Sequence, residues 1–145
     1  MATSSENHVH VRIQSSADIV RARRQGRAVA VRSGFSTNHL AIIATAISEV
    51  ARNIIDYAEE GEVIISPIAD VHKKGIQIIA ADRGPGIADV STAMRNGYST
   101  SCRLGIGLPG VRRLMDEFEI RSDIGKGTTV TMKKWVASPG GSDRP

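Results

Sequence analysis

Glu49 and Asn53 stand four residues apart in a stretch, residues 40–57, whose apolar pattern is that of a helix. Residues at this spacing lie about 40° apart around an α-helix and about 6 Å apart along it, so the carboxylate and the amide point the same way. The apolar stripe is Ile43, Ile47, Val50 and Ile54, with Leu40 and Ala51 beside it; Ile42, Ala46, Glu49, Asn53 and Asp56 form the neighbouring strip. The pair therefore falls at the edge of a core. A carboxylate there needs a metal, a water or a ligand, because burying it alone is costly. The same spacing also describes a solvated helix edge, and by itself the pair leaves both readings open.

Three further groups could do chemistry. Asp82, directly after the apolar run 76–81, heads Asp82-Arg83-Gly84-Pro85-Gly86. Its carboxylate can accept from an exocyclic amine such as that of adenine, and the glycines let a planar ring lie against the backbone; alternatively Asp82 simply bonds local N–H groups in a turn. Gly105-Ile106-Gly107, ahead of a helix, suits a phosphate cradle, since glycine opens backbone N–H groups to an anion that a helix N-terminus favours. Neither the GxGxxG nor the GxxxxGK[ST] fingerprint is present, so any nucleotide site is of another type. Gly127-Thr128 opens the last strand, where a hydroxyl could second Asp82 if the two strands are neighbours.

The elements that must position these groups follow from periodicity. Residues 8–14 alternate Val9, Val11 and Ile13 with polar residues, the period of a half-buried strand. Residues 18–33 read as a helix stopped by Gly34, and Ser36 or Thr37 can cap the next helix, which carries Glu49 and Asn53 and ends near Gly61. Strands are expected over 62–70 and 75–81, joined by a turn around His72 to Gly75. A short helix around 90–96 and a loop rich in small residues follow. A helix then runs from Leu108 to about Glu117, with Pro109 tolerated in its first turn. Strands over 118–124 and 128–135 close the chain as a hairpin across Gly125-Lys126-Gly127.

A chain of 145 residues reads as one domain, spanning 8–136 between a flexible N-terminus (1–7) and a Pro/Gly/Ser tail (137–145) expected to be disordered. The single cysteine, Cys102, excludes an internal disulfide and suits a reducing compartment. Residues 1–7 hold no signal-peptide core and no apolar run could span a bilayer, so a cytoplasmic protein with no membrane partner is expected. The net charge of +4 comes largely from Arg12, Arg21, Arg23, Arg24, Arg27 and Arg32. With two Phe, two Tyr and one Trp there is no aromatic platform for bases, so nucleic acid is not expected; the cluster reads as a solvated helix face or a surface for an acidic protein. The four histidines have no ligand spacing, so no zinc site is read.

It is the order of the motifs that is specific. Glu49-Val50-Ala51-Arg52-Asn53 resembles the N box of the GHKL superfamily of ATP-binding domains, Asp82-Arg83-Gly84-Pro85-Gly86 its G1 box, and Gly105-Ile106-Gly107-Leu108 its G2 box. Within it, residues 46–54, 97–101 and 108–118 look like the RsbT-type serine-protein kinases of bacterial partner-switching systems. The resemblance covers roughly residues 8–136. It implies a two-layer α/β (α+β) sandwich of Bergerat type, with a mixed, mostly antiparallel sheet and helices on one face.

The resemblance also implies roles. Asn53 would ligate Mg²⁺, Glu49 would act as general base toward a serine hydroxyl, and Asp82 would bind the adenine amine between Gly84 and Gly86. Gly105, Ile106, Gly107 and Leu108 would bring the backbone to the phosphates of ATP, and Thr128 would support the adenine end. The implied substrate is a small STAS-domain antagonist; freed kinase would then bind and activate a PP2C-type phosphatase in a stress-response switch. The rivals are an anti-sigma factor kinase and a nucleotide-binding interaction module with little transfer activity. Where this branch usually has Gly-Gly in the lid, this chain has Cys102-Arg103, which restricts the backbone. Arg103 could instead reach a β- or γ-phosphate.

Overall fold

The computed structural model describes residues 8–84 and 107–137. In chain order the elements are β1 (Val9–Ile13), α1 (Ser16–Ser33), α2 (Thr37–Ala58), β2 (Gly61–Ala69), β3 (Lys74–Asp82), α3 (Gly107–Leu114), β4 (Glu117–Asp123) and β5 (Gly127–Trp135). The expected helix around 90–96 lies outside the described residues.

The strands form one sheet in the order β1-β2-β3-β5-β4, antiparallel at each pairing. Alternation along each strand, carried across by the register, builds continuous apolar rows. One runs Val11, Val63, Ala80, Val130, Ile120; the next runs Val9, Ile65, Ile78, Met132, Phe118. These rows face the helices, and most of their members are buried. The opposite face carries rows such as Arg12, Glu62, Ala81, Thr129, Arg121. The result is a two-layer sandwich with helices against one face of the sheet, as the motifs implied.

α1 begins where Asp18 Oδ2 accepts the backbone N–H groups of Gln14 and Ser15, and it closes at Gly34 (φ 94), after which the Phe35 N–H donates back to Ala30 O. α2 starts with the Ser36 hydroxyl accepting from the His39 N–H. Its stripe of Ile43, Ile47, Val50 and Ile54 is at most 2% exposed, and each such side chain contributes about 1.5–3 kcal/mol by leaving water. α2 packs between α1 and α3 over the sheet. The last helix stops at Leu114, earlier than periodicity suggested, because Asp116 already donates its N–H to Lys133 O and begins the β4–β5 ladder.

Candidate functional site

α2 presents the acid. Glu49 is only 5% exposed, deeper than the core edge that its strip suggested, while Asn53 one turn on is half-buried. Arg52 Nη1 lies 3.7 Å from Glu49 Oε2, a cation next to a carboxylate that would be costly to bury alone.

The end of β3 supplies the second part. Asp82 Oδ1 accepts from the Gly84 N–H at 2.8 Å and from the Thr128 N–H at 3.3 Å, leaving Oδ2 without a hydrogen bond among the described residues. One oxygen thus builds the corner, and the other is left to accept from a donor. β3 and β5 are neighbours, so Thr128 does second Asp82, but through its backbone N–H. Its hydroxyl is held by Ser122 Oγ at 2.7 Å, directly opposite on β4. Ser122 was not singled out in the sequence; counting outward from the Gly125 turn would have paired it with Thr128.

Two close approaches fix this corner. Gly127 has φ 97, and a Cβ there would fall 2.0 Å from Asp82 O, so β5 reaches the strand end only because residue 127 has no side chain. A Cβ on Gly84 would fall 2.6 Å from Ala58 Cβ, which sets the Asp82 turn against the last residue of α2. That contact brings the Asp82 corner to the C-terminal end of the helix that carries Glu49 and Asn53.

α3 is the third part. Gly107 (φ 67) opens it, Leu108 packs half-buried on the core, Val111 is fully buried, and the helix lies against α2. The first-turn N–H groups of a helix lack intrahelical acceptors and attract anions. Gly86, Arg103, Gly105 and Ile106 lie outside the described residues.

No cluster of three or more His, Cys, Asp or Glu side chains that could hold a metal occurs among the described residues. An amide oxygen such as that of Asn53 is a hard donor of the kind that suits Mg²⁺, which keeps waters and shares substrate oxygens. Of the N-terminal arginines, Arg12 pairs with Glu60 and Arg21 with Asp18, while Arg23, Arg24, Arg27 and Arg32 are exposed.

Comparison with known proteins bears on the family and the fold. Residues 13–134 match the family described as histidine kinase-like ATPase domain. The chain is 54% identical over 126 residues to serine/threonine-protein kinase RsbT of Bacillus subtilis (strain 168), covering 87% of this chain and 95% of that protein. It is 37% identical over 103 residues to the anti-sigma F factor of Thermoanaerobacter sp. (strain X514), covering 68% and 72%. The solved structure of the RsbU and RsbW domains of a Mycobacterium tuberculosis protein shares the fold, with a TM-score of 0.64 at 20% identity over 91% of this chain and 33% of that one. The chain belongs to the histidine kinase-like ATPase domain family, in its RsbT-type branch of serine/threonine-protein kinases.

Proposed function

We propose that the chain transfers the γ-phosphoryl group of ATP to a serine or threonine of a small STAS-domain antagonist in the cytoplasm, and that the kinase so released binds and activates a PP2C-type phosphatase. The observation that carries this reading is the burial of Glu49 one turn from Asn53, on a helix bounded by the Asp82 corner and by α3. Asp82 Oδ2 takes the adenine amine, with Gly84 and Gly86 beside the base and the Thr128 N–H fixing the carboxylate. Gly105, Ile106, Gly107 and Leu108 would carry the backbone to the phosphates, where the N-terminal end of a helix favours negative charge. Asn53 offers the oxygen for Mg²⁺, which when bound neutralises charge on the phosphates. Glu49 accepts the proton of the partner's hydroxyl as its oxygen bonds to the γ-phosphorus; the bond from that phosphorus to the β-bridging oxygen breaks and ADP leaves.

The test is incubation with labelled ATP, Mg²⁺ and a cognate STAS-domain protein. Label on a serine or threonine of the partner is the expected result. A tight complex without transfer would favour a nucleotide-binding interaction module, and retention of a sigma factor in place of a phosphatase would favour the anti-sigma reading.

A further inference from the structure

Two charged side chains are buried among the described residues, Glu49 and Lys134, and phosphotransfer as derived above uses only the first. Lys134 is 7% exposed and occupies an apolar position: alternation along β5 places it on the helix-facing side with Val130 and Met132. A methionine would fill the same space without a charge to desolvate. The ammonium has a specific target. Lys134 Nζ donates to Leu114 O at 2.9 Å, the carbonyl of the last residue of α3, and lies 3.8 Å from Asp116 Oδ1. C-terminal helix carbonyls lack intrahelical donors and carry the negative end of the helix dipole, so a cation there is complementary.

The clamp has a second arm. Asp116 Oδ2 accepts the Trp135 N–H at 2.8 Å, so one carboxylate engages two successive residues of β5. Trp135 is held in turn, its indole N–H donating to Glu117 Oε2 at 2.8 Å and Lys73 Nζ lying 4.2 Å above its ring. α3 has eight residues and is about 12 Å long, short and stiff enough that fixing one end fixes the other.

We propose that Lys134 is a positioning residue for phosphate binding: by holding Leu114 it sets the axial position of α3, and with it the aim of Gly107 and the first-turn N–H groups at the other end. This rests on the reading of that end as the phosphate site. Because Gly127 and Thr128, which hold Asp82, lie at the opposite end of β5 from Lys134, loss of the clamp affects the phosphates and spares adenine.

The experiment compares affinities for ATP with Mg²⁺ and for adenosine, together with KM and kcat, in the unmodified chain, Lys134→Met and Lys134→Gln. Lys134→Met should weaken ATP about tenfold, leave adenosine within about twofold, and raise KM for ATP with little change in kcat; Lys134→Gln should fall between. ATP should alter Trp135 emission in the unmodified chain and much less in Lys134→Met. Equal loss of ATP and adenosine would make Lys134 a packing residue and overturn the proposal, as would an unchanged ATP-to-adenosine ratio. If Lys134→Met does not fold, the ratio in Lys134→Gln decides by the same criterion. An unmodified chain that binds adenosine but gains nothing from the phosphates would overturn the α3 reading itself, a failure distinct from an unaltered ratio in the variants.

Discussion

Asp82 commits one oxygen to the local corner, and the proposed adenine contact falls to the other. Oδ1 is committed to Gly84 and Thr128, so the direction of Oδ2 is fixed before any ligand arrives. Asp82→Asn keeps the shape and an acceptor for the turn, but replaces an ionised acceptor with an amide. Removal of a charge-assisted hydrogen bond of this kind costs about 2–3 kcal/mol, a roughly 30- to 150-fold loss of ATP affinity with little change in thermal midpoint. Titration calorimetry checks it, and a variant that binds ATP normally would remove Asp82 from the site. At this scale short spacing was legible: Glu49 and Asn53 stand one turn apart on one helix, as their separation required. The sequence was silent on Ser122 and Lys134, whose partners Thr128 and Leu114 are defined by hairpin register and by the docking of α3.

At the scale of elements, α1 carries five arginines and one acid, Asp18, which the helix start uses fully. The Gln14 and Ser15 N–H groups and the Arg21 guanidinium hold its carboxyl below the usual carboxylate range. A carboxyl lowered in the folded state contributes stability above its ordinary pKa of about 4, and loses it as pH falls through the lowered value. Asp18→Asn should therefore be less stable than the parent at pH 7, with the gap closing below about pH 4; a gap of constant size in a pH series of thermal melts would contradict this. Element type was legible because alternation and the 3.6-residue stripe are strong in β1, α1, α2 and β5. The end of α3 was not, since apolar spacing continues past Leu114 into Met115 and Phe118 while the backbone has already turned to pair with Lys133.

At the scale of the molecule, one buried layer, lined by Val63, Ile65, Ile76 and Ile78 below and by Ile43, Ile47 and Val50 above, supports the three segments of the proposed site. The two-layer arrangement followed from the motifs and the alternating strands. The insertion of β5 between β3 and β4 did not, although it is what brings Gly127 against Asp82. Among the described residues no helix is long and apolar enough to cross a membrane. The proposed division of labour on α2 is tested by measuring ATP–Mg²⁺ affinity and transfer to a STAS-domain partner side by side in Glu49→Gln and Asn53→Ala. Glu49→Gln should bind within about threefold of the parent and lose transfer by about 10²–10⁴-fold, the usual contribution of a general base, whereas Asn53→Ala should lose Mg²⁺-dependent ATP binding. Equal loss of binding in both variants, or transfer retained in Glu49→Gln, would contradict the assignment of Glu49 as the base.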